Sequence, residues 1–398
     1  MPDPMNPMIT RPALLCCRFL AALLLPLITA GALAAPAAEP IRIGVAEALT
    51  GPASQYGIPI LNGFLLAAEE INAAGGINGQ KLLLVTEDER GKKEEAINVF
   101  KKLIFQEKVL LIFGPTLSNS MFAAGPIANA AHVVAFGTSN TATGITDIGP
   151  YIFRSSPMES DVVPATLKTV GAHLPLHRVG IIYGNDDAFT KSGYDVFKST
   201  LQQQQVAVVD TETYSRGDVD FKAQLTKLKA AQVDAIICPC LAEEGANILI
   251  QARALGLSVP FIGGNGFNSP ALLDNAKSAA EGTWVGSPWF DGNTAAENQR
   301  FLRAYRQKFH SDPNQFSAQS YDALWMLVDT LKKITLTSQL DKNRELLRDA
   351  LPMVSFAGAT GPFSFRPAPS HQGKPGGYDA HQTPFVYVVR HGKFTLVR

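Results

Sequence analysis

The sequence predicts an α/β protein of two lobes, each an open, doubly wound sheet of parallel strands with helices on both faces. Three observations carry this. Strand-like apolar runs alternate with amphipathic helical segments through most of the chain, the pattern of parallel sheets covered by helices. Residues 109–113, Val-Leu-Leu-Ile-Phe, are apolar throughout, as a strand buried on both faces should be. The alternation then begins again near Val179 without any repeat of sequence, and 398 residues suit two cores better than one.

The elements follow in order. Ile41, Ile43 and Val45 open a strand. Within 58–74, Ile60, Leu61, Phe64, Leu65, Ala68 and Ile71 recur at helical spacing, and Gly75-Gly76 ends that helix because glycine takes the left-handed C′ conformation cheaply. Residues 81–87 read as the second strand and 92–108 as a helix turning Ala96, Ile97, Phe100, Leu103 and Ile104 inward. A helix over 118–131 and a strand over 133–136 follow 109–113. The second array has strands at 179–183, 206–209, 235–238 and 260–262. Its helices are 190–204, 218–231 and 243–255, the middle one capped by Asp218. Beyond a strand that ends at Trp289 come two long helices, 295–309 and 315–334, and a shorter one over 344–351. Residues 367–377, rich in Pro, Gly and His, read as a surface loop, and 385–397 as a hairpin turning at His391-Gly392.

The N-terminus addresses the chain. Arg11 and Arg18 precede an apolar run from Phe19 to Leu33, and Ala32-Leu33-Ala34 supplies the small-x-small exit of a secretory signal. The run is short for a membrane span. Residues 1–34 are therefore expected to be cleaved, leaving roughly 360 residues outside the cytoplasm, away from ATP and NAD. Lys+Arg and Asp+Glu are equal at 35 each, so no charge footprint calls for nucleic acid or anionic lipid. Cys16 and Cys17 leave with the signal. Cys238 and Cys240, two apart in an apolar run, would lie about 6.5–7 Å apart on one face of a strand, at the limit for a disulfide. They read as buried small apolar residues, with a strained bridge or reactive thiol as the alternatives.

Open parallel sheets hold ligands beyond the carboxyl ends of their strands. Four junctions therefore stand out: Leu49 to Gly57, Gly114 to Ser120, Gly137 to Thr141, and Gly263 to Pro270 in the second array. They are small, hydroxyl-rich and neutral. Ser118 can open a helix whose free N–H groups receive a carboxylate or phosphate, or it can merely cap that helix. Ser139 and Thr141 can present hydroxyls to the same ligand, or serve ordinary turns. Tyr56 suits an exposed aromatic wall or a surface staple. The sequence has no G-x-S-x-G elbow, H-E-x-x-H pair or glycine-lysine phosphate loop. Pro175 separates His173 from His177 and argues against a metal pair. The adjacent acids Asp186-Asp187 and Glu243-Glu244 read as helix caps. No enzyme, cofactor or metal is expected.

Taken in order, these junctions resemble a known family. Ile41-Arg42-Ile43-Gly44-Val45, Leu49-Thr50-Gly51-Pro52 with Tyr56-Gly57, and the run from Ala67 to Ile77 are similar to type I periplasmic solute-binding proteins, the leucine/isoleucine/valine-binding group of ABC importers. So are Phe113-Gly114-Pro115 with Ser118, Ile145-Thr146-Asp147 before Tyr151 to Arg154, and Gln251-Ala252-Arg253 before Gly256. The resemblance implies two lobes joined by three crossover strands: residues 40–154 with 287–380, and residues 155–286 with 381–398. The cleft between them would hold the ligand. It implies a periplasmic receptor, monomeric, that gives a small carboxylate-bearing molecule, foremost a branched-chain amino acid, to a membrane permease. By position Ser118, Ser139 and Thr141 would hold the carboxylate and ammonium, and Tyr56, Phe189, Leu241 and Phe267 would border the ligand. Glu159 would act across the cleft. Asn265 stands where amino-acid binders carry the acid that pairs with the ammonium, and a buried ammonium without a counter-charge is costly. Either Glu159 or another acid supplies that charge, or the ligand is an aromatic or aliphatic carboxylate or an amide. A sensor module built on the same fold is the other reading.

Overall fold

The computed structural model of the protein describes residues 39–371 and 373–397. The expected signal peptide lies outside them. The first array is β1 (Ile41–Glu47), α1 (Ser54–Ala73), β2 (Leu82–Asp88), α2 (Lys93–Lys101), β3 (Leu111–Phe113), α3 (Ser118–Ala130), β4 (Val134–Gly137) and β5 (Ile152–Arg154). The second is α4 (Glu159–His173), β6 (Arg178–Gly184), α5 (Ala188–Gln203), β7 (Ala207–Tyr214), α6 (Lys222–Ala230), β8 (Ala235–Cys238), α7 (Ala242–Ala254), β9 (Phe261–Gly263), α8 (Pro270–Ala276) and β10 (Trp284–Ser287). The remainder is α9 (Ala296–Phe309), α10 (Gln315–Leu331), α11 (Leu340–Ala350), β11 (Ser355–Gly358), β12 (Gly361–Pro367), β13 (Tyr378–His381), β14 (Phe385–Arg390) and β15 (Lys393–Leu396).

The strands form two sheets, ordered β11-β12-β13-β5-β4-β3-β1-β2 and β15-β14-β10-β9-β8-β6-β7. From β2 to β13 in the first and from β7 to β10 in the second, every neighbour is parallel. The five leading strands of each sheet run in the same order, reversing direction of progress between β1 and β3 and again between β6 and β8. Those reversals open the crevices where such sheets bind ligands. The chain passes between the sheets three times: from β5 to α4, from β10 to α9, and from β13 to β14.

Helices α9 and α10 return the chain to the first lobe. There α10 lies hard against α1: a Cβ on Gly63 would meet Ser320 Oγ at 2.1 Å and the Ser317 carbonyl at 2.3 Å. Only glycine permits that approach. The approach fixes the start of α10 beside the first crevice.

Three local expectations change. Asp218 does not cap α6, which begins at Lys222; its carboxylate instead accepts from Ser215 N at 2.8 Å, closing a turn. The antiparallel strands β11 and β12 extend the first sheet where no strand was expected. Their residues alternate weakly in burial, as an edge does. Cys238 and Cys240 are joined in a disulfide rather than standing as separate apolar residues. The strand ends at Cys238, and the intervening Pro239 departs from the extended course, so the Cα atoms are 5.2 Å apart. The C-terminal hairpin turns at His391-Gly392, both with positive φ (53° and 70°), the geometry of a tight two-residue turn.

Candidate functional site

The loops that follow β1, β3 and β4 in the first lobe meet those that follow β6, β8 and β9 in the second. Between them lies a narrow cavity. Tyr56, Thr116, Leu117, Ser118, Ser139 and Phe316 line it from the first lobe, and Phe189, Leu241, Asn265 and Gly266 from the second. The lining is mostly apolar with a few directed polar groups, the usual make-up of a small-molecule site.

The first-lobe wall is braced from behind. Ser139 Oγ donates to the Thr116 carbonyl at 2.6 Å, and Asn140 Nδ2 donates to the Pro115 carbonyl at 2.9 Å. Thr116 Oγ1 accepts from Ala48 N at 2.8 Å and donates to Glu47 at 2.5 Å. Ser120, in the first turn of α3, donates to Glu89 at 2.9 Å. Both acids are buried. Removal from water drives the Glu47 carboxyl far above its usual range, the Thr116 bond opposes this, and the neighbouring Glu89 adds to it. Burial likewise pushes Glu89 up to about 7, against the pull of its bonds to Ser120 and Thr116. Ser118 opens α3 without capping it; the residue at the cap position, Leu117, offers no side-chain bond. The Ser118 hydroxyl instead accepts from Ala142 N at 3.4 Å, which joins the β3 and β4 loops beside the N-terminus of the helix. That end carries partial positive charge and free N–H groups suited to a carboxylate.

Glu159 occupies the first turn of α4, just beyond the first passage, and is 1% exposed. One carboxylate oxygen accepts from Asn265 N at 2.9 Å and from Thr141 Oγ1 at 3.3 Å; the other has no partner among the described residues. Burial pushes this carboxyl up to about 7, while the bonds from Asn265 and Thr141 hold it down. Thr141, Glu159 and Asn265 therefore form a continuous polar seam that crosses the cleft.

Other contacts also join the lobes. The Tyr56 hydroxyl donates to the Gly266 carbonyl at 3.0 Å and accepts from Ala242 N at 2.8 Å. Asn119 grips the start of α5, donating to Asp187 at 2.7 Å and accepting from Ala188 N at 2.8 Å. Asp187 caps that helix through Phe189 N and Thr190 N, as the adjacent acids suggested. Thr143 N donates to Ser192 Oγ at 2.9 Å. The cleft is closed.

Of the residues singled out in the sequence, Tyr56, Ser118, Ser139, Phe189, Leu241 and Asn265 line the cavity. Thr141 and Glu159 stand in the seam beside it. Tyr56 is not an exposed wall but a buried bridge, 3% exposed, its phenol held neutral by burial and by the acidic groups Glu244 and Asp187 nearby. Phe267 does not border the cavity. The short 3₁₀ turn Asn265–Phe267 sends its ring into the second-lobe core, where a Cβ on Gly245 or Gly263 would come within 2.2 Å of it. Thr116, Gln315 and Phe316 were not foreseen. Gln315 donates to Asn265 Oδ1 at 2.7 Å, and the Phe316 ring meets Tyr56 edge-on with centroids 5.1 Å apart. Among the described residues there is no group of acids, histidines and cysteines able to hold a metal, and no helix is long and apolar enough to cross a membrane.

Two parallel-sheet lobes closing over one small cavity define a ligand-trapping protein. The family described as periplasmic binding protein matches residues 40–383, and the chain belongs to that family. It is 27% identical over 331 residues to the leucine-, isoleucine-, valine-, threonine- and alanine-binding protein of Pseudomonas aeruginosa, covering 83% of this chain and 86% of that one. With the Leu/Ile/Val-binding protein of Escherichia coli K12 it shares 28% over 291 residues, 73% of this chain and 78% of the other. The structure also superposes on the branched-chain amino acid transporter substrate-binding protein LivJ of Streptococcus pneumoniae in complex with isoleucine. That match has a TM-score of 0.81 and 29% identity, over 90% of this chain and 99% of the other.

Proposed function

We propose that the protein is the periplasmic receptor of an ABC importer and that it captures a small α-amino acid with an aliphatic side chain, foremost a branched one, for delivery to a membrane permease. The observation that carries this is the seam from Thr141 through Glu159 to Asn265. One buried Glu159 oxygen has no partner among the described residues, and its Thr141 neighbour adjoins Ala142, whose N–H bonds Ser118 at the start of α3; this supports reading an ammonium and a carboxylate on neighbouring groups. In this reading the ligand carboxylate lies on Ser118, Ser139, Thr141 and the end of α3. The ammonium lies on Glu159, and the side chain lies among Leu117, Phe189, Leu241 and Phe316. Isoleucine in the complex of the S. pneumoniae relative, and the ligands in the names of the other two relatives, favour an amine-bearing ligand over an amine-free one.

The lobes, residues 40–154 with 287–380 and residues 155–286 with 381–398, would part about the three passages between them. A ligand that touches both walls favours the closed form, since only that form supplies both sets of contacts. Calorimetric titration with leucine, isoleucine and valine tests the proposal. Micromolar or tighter binding of at least one is expected. Failure of all three, with tight binding of an aromatic acid instead, would overturn it.

A further inference from the structure

Asn265 lines the cavity, and the structure shows how its amide is held. Gln315, the first residue of α10 and 1% exposed, donates from Nε2 to Asn265 Oδ1 at 2.7 Å. The Gln315 oxygen accepts from Asn268 Nδ2 at 2.8 Å and has Ser287 Oγ 3.4 Å away. The Ser287 hydroxyl gives its one hydrogen to the Trp289 carbonyl at 2.7 Å, so Asn268 is the donor that engages the Gln315 oxygen, and the Gln315 nitrogen faces Asn265. An amide has one acceptor end and one donor end. With its oxygen engaged by Gln315, Asn265 has only its NH₂ left, and that group has no hydrogen-bond partner among the described residues although the side chain lines the cavity.

We propose that Gln315 is a specificity-determining residue: by orienting Asn265 as a donor next to Glu159, it makes the site accept an oxygen as well as an ammonium beside the ligand carboxylate, so that 2-hydroxy and 2-oxo acids are taken alongside α-amino acids. The placement follows from the seam. Asn265 N and Thr141 Oγ1 share one oxygen of Glu159, and Thr141 belongs to the loop that also carries Ser139 and the Ala142 N–H bonded to Ser118. A ligand whose carboxylate sits on that loop must put its next substituent against Glu159 and Asn265. The Asn265 N–H groups suit a hydroxyl or carbonyl oxygen, and a protonated Glu159 supplies a second donor to the same atom. An ammonium is served by Glu159 alone. A site with two carboxylates would reject the oxygen analogues, because its acceptors would go unpaired.

This inference rests on the cavity being a receptor for small aliphatic carboxylates, and the test separates the two. Titration calorimetry would compare leucine with its 2-hydroxy and 2-oxo analogues on the unaltered protein, Asn265→Asp and Gln315→Glu. The unaltered protein should bind the analogues within about tenfold of leucine. Asn265→Asp should weaken the analogues by about thirtyfold or more and leave leucine equal or tighter. Gln315→Glu has an acceptor at both oxygens, so it should turn the Asn265 NH₂ toward itself, present Oδ1 to the ligand and likewise raise the preference for leucine. A preference for leucine of more than about a hundredfold in the unaltered protein, unmoved by Asn265→Asp, would mean that the Asn265 oxygen already faces the ligand, and would overturn the proposal. If none of the three compounds binds, the receptor reading fails, and the amide chain is read without ligand. The Asn265 side-chain NH₂ resonances, identified by their loss in Asn265→Asp, should shift strongly in Gln315→Glu. Unmoved resonances would overturn the orientation itself.

Discussion

The two walls of the cleft are built differently. On the first lobe, the polar groups are held by their own lobe: Ser139 to the Thr116 carbonyl, Asn140 to Pro115, Thr116 to Glu47, Ser120 to Glu89. On the second, most polar contacts cross the cleft: Asn265 to Gln315, Gly266 and Ala242 to Tyr56, Asp187 and Ala188 to Asn119, while Glu159, itself of the second lobe, bonds Asn265 N within that lobe and Thr141 across the cleft. The bonds that brace the first wall need no second lobe, so that wall would stand before a ligand arrives; the crossing bonds would form only as the lobes meet. A preorganised wall spends no ordering entropy on binding, while an assembled wall reports that binding has occurred. This division suits a receptor whose closed form is what a partner must recognise.

The largest expected effect sharpens the contrast at the one group that serves both walls. Glu159→Gln keeps the bonds to Asn265 N and Thr141 in shape but removes the counter-charge. Leucine binding should weaken by about 3–5 kcal/mol, the usual result of stranding a buried charge. Its 2-oxo analogue should lose far less. Burial pushes the Glu159 carboxyl up to about 7, and it must be ionised to hold an ammonium. Below that pH, amine binding must therefore release a proton, and leucine affinity should fall as pH drops from 7 to 5. Calorimetry in buffers of different ionisation enthalpy measures that proton. No release at pH 6 would remove Glu159 from the ammonium.

The preorganised wall has its own signature, in stability rather than binding. Glu89 titrates near 7 in the fold, against an ordinary value of 4.5. Between those values the native protein holds a proton that the unfolded chain has lost. The stability contributed by the neutral acid is thus fully present below about 4.5 and is lost as pH rises through 7, by about 3 kcal/mol. Glu47 acts in the same direction. In Glu89→Gln the melting temperature of the ligand-free protein should fall less between pH 5 and 8 than in the unaltered chain. Parallel curves for the two proteins would mean that Glu89 is ionised in place.

Ser118→Ala should weaken carboxylate ligands by about 1.5–3 kcal/mol, the usual worth of a hydrogen bond to a charged group, in titration calorimetry. Ligand-free stability should change little, since the hydroxyl's protein bond to Ala142 N is long at 3.4 Å. An unchanged affinity would take Ser118 out of the site.

The preorganised wall was also the more legible of the two. Its residues sit in loops directly after strands, where a parallel sheet must open, and a small hydroxyl residue at the start of α3 reads as a ligand group or a helix cap. Asn265 was found by the same rule. Gln315 and Phe316 were not, because Phe316 reaches the cavity and Gln315 reaches Asn265 from the start of α10, which only the packing of α10 on Gly63 of α1 brings there. No period or motif near residue 315 announces that approach. Phe267 was misplaced because a 3₁₀ turn and a loop look alike in sequence, yet the turn rotates the ring into the core. The disulfide stood only as an alternative because strand geometry was assumed through Pro239. Tyr56 was recognised as a residue of the site, but its exposure was misjudged: burial depends on a lobe more than 180 residues away along the chain.

Tyr56 provides the smallest and most discriminating test of the contrast. Its hydroxyl belongs to the first lobe by sequence and to the second by its bonds, and those bonds exist only while the lobes touch. Tyr56→Phe keeps the ring against Phe316 and removes the oxygen. In the closed form Ala242 N then loses its acceptor; in an open form, water would replace it. The cost should therefore fall on closure alone, about 1 kcal/mol, or roughly fivefold in ligand affinity. It should appear in the dissociation rate, because the contact is absent when ligand first arrives on the preorganised wall. Stopped-flow measurement of association and dissociation would show an unchanged on-rate and a faster off-rate. An equal loss in the melting temperature of the ligand-free protein would mean that the lobes already stay shut without ligand, and the distinction between a prebuilt wall and an assembled one would have to be given up.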